Sequence, residues 1–344
     1  MKQILVFVIL ISLFPTLSCS AQFKKNVEQS YLLYNKARLL AVGGQLDSAA
    51  LYMKKSILLN PNNGVTRWFA IEVYLKSAHY TDFITDIKDY YTKNTLPEKV
   101  EDIFQYFDSA IINRAKKNKE VNDFMASYEN LKTINRQTVK VDKELKTILE
   151  YCSVTDQFVR RFSEPYRGNE NYHDMIVKLY TYADSTNMEQ VAAYFKAKGF
   201  PTSVELDAVT MSTNFVIGFI HYMQDSGVYG KYPVWKYLDS SIRQAVYNGI
   251  LPIRYYLKFM DNRYIANSPN PNESKQLYGF SISSATDSIT KKRIVVYYPE
   301  IDDIDHLDER RQLWLQPTLY EESLLDPETR LPEKYKRKGS KSLN

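Results

Sequence analysis

The pattern that most constrains this fold lies in residues 28–95. Ala37, Gly44-Gln45-Leu46, Ala49, Ser56 and Asn60-Pro61 stand where two antiparallel helices need them. Small residues let the helices approach, Gly frees the turn, and Pro stops the second helix. A period of about 34 residues carries the pattern onto Ile71, Ala78, Tyr80, Phe83 and Tyr90. Ala78 and Tyr80 repeat the turn. Phe83 departs, because a small residue is expected there. About three such units are needed to bury their faces, so the following residues are expected to supply the missing one. Residues 97–117 read as one helix, with Val100, Ile103, Phe104, Phe107 and Ile111 at helical spacing. Val121, Phe124, Met125, Tyr128 and Leu131 mark the next.

Residues 28–95 resemble tetratricopeptide repeats, closely in the first unit and more loosely in the second. The resemblance implies a concave surface for a protein or peptide partner. The other reading is a helical scaffold that carries the second half of the chain.

The first 21 residues have the order of a secretory signal. Lys2 is followed by an apolar run over 4–13, too short to span a bilayer, then Pro15 and the small residues Cys19-Ser20-Ala21. Cleavage after Ala21 is the first expectation. Lipid attachment at Cys19 is the alternative, although Thr16 stands where a lipobox has Leu. The protein is therefore expected to be exported, periplasmic or extracellular, with no transmembrane segment. Cys152 is then the only cysteine left, so no intrachain disulfide forms and the fold rests on packing. Cys152 has apolar neighbours and no His close in sequence, which points to a buried, inert thiol.

The formal charge of +5 is unevenly spread. Lys2 leaves with the signal, and the tail from Glu333 sets five basic residues against one acid. The body, 22–332, is neutral, which argues against a nucleic-acid surface. The 28 Tyr and 16 Phe are read chiefly as core, with tyrosine hydroxyls at the surface.

From about residue 139 the pattern changes. Helices are expected through 145–158, 172–182, 188–198, 206–224, 232–247 and 253–266, with Gly199 and Pro201 ending the third and Pro252 opening the last. In the fourth, Asp207, Met211, Asn214, Gly218, His221 and Asp225 share one face. The period then shifts to two over 277–283 and 293–298, which predicts a β-hairpin turning at Asp287-Ser288. Residues 302–314 read as a last helix with an acidic first turn.

Polar residues recur in this half at fixed places: Asp156-Gln157-x-x-Arg160, Asp184-x-x-Asn187, Gly199-Phe200-Pro201-Thr202, His221, Asp261 with Arg263, Gln276-x-Tyr278-Gly279, and Asp308-x-Arg310-Arg311. In this order they resemble the bacterial family known as domain of unknown function 6624, over residues 143–322. The chain departs from that pattern at Ile220, at Asn262 between Asp261 and Arg263, and at Phe280-Ser281. The resemblance implies no particular reaction.

Two functional readings follow. The first is an envelope binding protein that uses its helical repeats, because no complete catalytic constellation is present. The alternative is a hydrolase-type enzyme with His221 as acid or base, Asp261 or Asp156 orienting it, and Arg160, Arg263, Gln276, Tyr278 and Arg310 lining the pocket, an Arg holding an anionic group. The competing structural reading is a set of buried pairs that fix helix positions. Asp261 and Arg263 lie two positions apart, so on a helix each must pair elsewhere. No metal or cofactor is expected. The four His are scattered, and Asp302-Asp303-x-Asp305-His306-x-Asp308 lacks the Gly and terminal Glu of a calcium loop. No GxSxG, P-loop or dinucleotide motif appears.

The expected architecture is mainly α. It comprises a signal peptide (1–21), a tetratricopeptide-like helical-hairpin region (22–138), an α-rich domain with a small β-hairpin near 277–298 (139–322), and a basic, disordered tail (323–344).

Overall fold

The computed structural model describes residues 23–335 apart from 95, 106, 167, 203–204, 207–232, 267, 271–272, 288–289, 326–328 and 333; of 233–238 and 266 it describes the backbone alone. Among the described residues the chain is mainly helical, with one small three-stranded sheet.

Two hairpins open the fold. Helix α1 (Lys25–Val42) pairs with α2 (Leu46–Leu59), and α3 (Gly64–Lys76) pairs with α4 (Tyr80–Tyr90). Asn63 caps α3 by accepting the Thr66 N–H at 3.2 Å. The repeat read in the sequence is visible in the backbone. Gly44 sits at φ 75 in the first turn, and Ala78, 34 residues on, sits at φ 60 in the second. A Cβ in that left-handed region costs roughly 1–2 kcal/mol, and the second turn carries it. Ala49 and its counterpart Phe83 are both fully buried. The large ring fits because Phe104 and Phe124 lie over it, at 5.9 and 6.5 Å between centroids. The units that follow the second hairpin thus fill the space a small residue would have left to a helix.

Those units are more broken than the apolar spacing predicts. Residues 97–117 do not form one helix. They form α5 (Glu101–Phe104) and α6 (Ser109–Ala115), because Asp108 leaves the helical conformation (φ −58, ψ 135) and caps α6 by accepting the Ala110 N–H at 2.7 Å. Helices α7 (Lys119–Ala126) and α8 (Tyr128–Thr138) likewise divide at Ser127.

The C-terminal half begins with a long hairpin, α9 (Lys143–Ser163) and α10 (Glu170–Lys198). Separate helices over 172–182 and 188–198 are corrected to one helix of 29 residues. Asp184, Ser185 and Asn187, which look like a turn in sequence, are buried side chains of its middle. Gly199 ends it at φ 85. Helices α11 (Pro233–Tyr247) and α12 (Ile253–Ala266) follow. The hairpin of β1 (Ile282–Thr286) and β2 (Arg293–Tyr297) pairs antiparallel from Ile282 opposite Tyr297 to Thr286 opposite Arg293. Its first strand starts later than the sequence period suggests, because residues 277–281 are held as a loop. Helices α13 (Leu307–Leu313) and α14 (Leu319–Leu325) complete the helical set.

The segment from 323, expected to be disordered, is ordered over part of its length. Residues 323–325 finish α14, and β3 (Thr329–Arg330) adds to β2 in parallel. Tyr335 is 5% exposed, and its hydroxyl donates to Asp308 at 2.8 Å.

One buried apolar cluster runs from Phe23 to Leu315. Phe23 packs edge-on to Tyr247 and Trp314, and Tyr247 stacks on Trp314 at 5.8 Å and 10°. Asn60 donates to the Gly249 carbonyl at 3.1 Å, and the Ile253 N–H donates to the Tyr31 hydroxyl at 3.1 Å. A Cβ on Gly249 would stand 2.6 Å from the Asn60 amide, so this junction accepts only glycine. Among the described residues no helix is long and apolar enough to cross a membrane.

Candidate functional site

The polar residues singled out by sequence fall into two separate places, and His221 lies outside the described residues. The first place is a clamp between α9 and α10. Arg160 donates from Nε to Asp156 Oδ1 at 2.8 Å and reaches Asp184 Oδ2 at 3.3 Å. Gln157 donates to the other Asp156 oxygen at 2.9 Å. Asp156 and Asp184 are 5% and 4% exposed. The Arg160 guanidinium lies over the Tyr180 ring at 4.8 Å. One turn away, the Asn187 amide donates to the Cys152 carbonyl at 3.1 Å, and the Cys152 thiol faces the Asn187 carbonyl. Burial pushes that thiol up to about 12, so it stays protonated. A buried carboxylate needs a cation or hydrogen-bond donors, and Arg160 serves both Asp156 and Asp184.

The second place is built around Asp261 on α12, which is fully buried. Its Oδ1 accepts the N–H groups of Leu277 and Tyr278, and its Oδ2 accepts that of Phe280, each at 2.7 Å. Burial raises its carboxyl to about 6, against the pull of those three N–H groups and of Arg311. Gln276, also fully buried, holds the same loop from within. Its amide donates to the Ser281 and Pro299 carbonyls at 2.9 and 2.6 Å and accepts the Ser281 N–H at 2.9 Å. Arg310 donates to the carbonyls of Leu277, Asp302 and Asp303. Arg311 donates to Pro317 and Tyr278 carbonyls, each at 2.7 Å, and lies over the Phe280 ring at 4.8 Å. Asp308 accepts the Leu319 N–H and the Tyr335 hydroxyl.

Among the described residues, Asp261, Gln276, Tyr278 and Arg310, expected to line a pocket, form a hydrogen-bonded knot. Asp261 and Gln276 spend their polar atoms on the backbone of residues 277–281 and of Pro299, and Arg310 and Arg311 spend most of theirs on carbonyls. Arg263 is half-buried on α12, two positions from Asp261. Tyr278 takes part through its main chain, donating to Asp261 and accepting from Arg311. In the acidic run 302–308, Asp302 accepts from Tyr264 and Lys275, and Asp303 from His306 and Arg310. Among the described residues no group of three His, Cys, Asp or Glu side chains is placed to hold a metal ion.

An open concavity lies on the helical hairpins. A groove of about 1070 Å³ is lined by α1, α3, residues 90–107, Arg254 of α12 and Leu325 of α14. Phe69 meets Tyr34 edge-on at 5.8 Å, and Trp68 meets Tyr90 at 5.6 Å, with the indole N–H donating to the Tyr90 hydroxyl at 3.2 Å. Arg38 lies over the Tyr34 ring and pairs with Glu322 at 3.3 Å. Of the lining residues, the sequence pattern marks Tyr90 as a repeat position and Phe107 as an apolar helix position, neither as part of a groove. The available signal is helical phase: Tyr34, Arg38, Ala41 and Val42 recur at three- and four-residue steps on one face of α1.

Comparison with protein-family models, with curated proteins and with solved structures gave no match to this chain.

Proposed function

We propose that the chain is an exported binding protein whose helical hairpins hold an extended segment of a partner protein, the C-terminal half fixing those hairpins in place. One contrast carries this reading. The groove over α3 is open and aromatic, whereas the described polar set of the C-terminal half is tied off internally. The groove's volume lies just above the roughly 300–1,000 Å³ typical of small-ligand sites, which suits a stretch of polypeptide. Aromatic rings on rigid helices give contact area at small entropic cost. Export rests on the order of residues 1–21, and the tetratricopeptide and 6624-family resemblances belong to the same proposal.

The test is a photo-crosslinking amino acid at Glu72 in the groove or at Asn130 on the exposed side of α8, introduced in the cell that makes the protein. A discrete adduct from position 72 alone, reproduced with the purified partner, is the expected result. Equal adducts from both positions, or none from 72, would sink the proposal.

A further inference from the structure

The groove is unevenly charged. Helix α3 forms its middle, touching α1 through Phe69–Tyr34 and α4 through Trp68–Tyr90. Arg38 and Arg254 line it beside Tyr34, and both bear electrostatically on that ring's hydroxyl. Glu98 and Asp102 also line it. These charges are not equally satisfied. Glu98 is matched by Lys132 and Arg136. Lys76 pairs with Glu72, and Arg38 with Glu322. Arg254 is exposed and has no ion pair or hydrogen bond among the described residues. One turn along α12 lies Lys258, outside the groove's lining, its pKa lowered by burial and by Arg254.

A side pocket of about 20 Å³ shares Tyr34, Arg38, Val65 and Arg254 with the groove. That is room for one water. Thr66 lines it and is fully buried, and its hydroxyl has no hydrogen-bond partner among the described residues. A buried hydroxyl left alone is costly. A water there would link Thr66 to an anion held by the guanidiniums.

Building on the binding reading above, we infer that the groove takes a peptide segment with an acidic side chain, its carboxylate seated on Arg38 and Arg254. Guanidinium suits carboxylate through its planar pair of donors, and apolar neighbours of the acid would lie on Trp68 and Phe69. The lining continues a turn beyond Arg38, to Ala41 and Val42. The anion is thus met partway along the groove, which favours a side chain over a chain terminus.

The experiment uses the full mature chain and short apolar peptides blocked at both ends, identical except for a central Asp, Asn or Lys. Affinities are read by anisotropy for the wild type, Arg254→Glu and the groove-filling Val65→Arg, with thermal melts to confirm folding. The Asp peptide is expected to bind about tenfold more tightly than the others, and Arg254→Glu to reverse the order of Asp and Lys. Equal affinities, or an unchanged Asp affinity in Arg254→Glu, overturn the inference. So does tighter binding of an Asn peptide with a free terminal carboxylate. If Val65→Arg leaves every affinity unchanged, or if no peptide binds the wild type, the groove reading itself falls. Loss of binding in Val65→Arg without discrimination among the peptides removes only the acidic specificity.

Discussion

The two halves of this molecule use buried polarity in opposite ways. In the hairpins, Arg67 is 4% exposed and tied to Asp86, Asp89 and the Pro61 carbonyl, which leaves the α3 face beside it free to form an aromatic groove. In the C-terminal half, Asp261, Gln276 and Arg311 pin one loop and close over it. A fixed pattern of polar residues can thus mark construction as readily as chemistry. Concavity can arise from residues with no conspicuous pattern at all.

The sharpest way to break the comparison is Asp261→Ala. It strips acceptors from three backbone N–H groups and leaves Arg311 less compensated, so we expect a loss of about 3–5 kcal/mol in chemical denaturation. A loss under about 1 kcal/mol would mean that the knot is not structural. Arg160→Ala removes the guanidinium that bonds both Asp156 and Asp184, and about 2–4 kcal/mol should be lost. Groove affinity measured on the surviving folded fraction should be unchanged in both variants.

A smaller effect concerns pH. The Asp261 carboxyl is raised in the folded protein to about 6 from 3.8. The folded state therefore holds the proton more tightly than the unfolded chain. The associated stability is full below about pH 4 and is lost as pH rises through about 6. Asp86, raised by burial to about 6, has the same sign. Asp261→Asn should flatten the slope between those pH values, at the cost of baseline stability because an amide offers one acceptor oxygen. An unchanged slope would reassign the effect to Asp86. Smallest of all, Ala78→Gly relieves a left-handed alanine and should raise stability by about 0.5–1 kcal/mol. A neutral or negative result would show that the Ala78 side chain contributes packing there.

The hairpins were legible because their signals are local. Gly44 and Ala78 mark turns, Asn60-Pro61 ends a helix, and Phe83 declares its own exception. Less was legible where a single side chain chose between continuity and a break. Asp108 could be a helical surface residue or a cap. Asp184 and Asn187 could be a turn or the buried middle of a helix. The candidate site was least legible. The partners of Asp261 are main-chain N–H groups, which no side-chain pattern displays. Arg310 and Arg311 differ by one position, yet the second is fully buried and the first half-buried. The groove joins residues from 34 to 325, and its most exposed cation comes from α12.

The ring stack of Phe23, Tyr247 and Trp314 has a consequence for how the chain can be divided. Phe23 lies two residues before α1, yet its rings of contact belong to α11 and the end of α13. A cut near residue 138 would leave the C-terminal piece without the ring that seals Tyr247 against Trp314. It would leave the N-terminal piece with Tyr31 and Asn60 lacking their partners at Ile253 and Gly249. The two pieces should therefore melt as one cooperative unit when joined and fail as independent fragments, and a co-expressed pair should recover the fold by complementation.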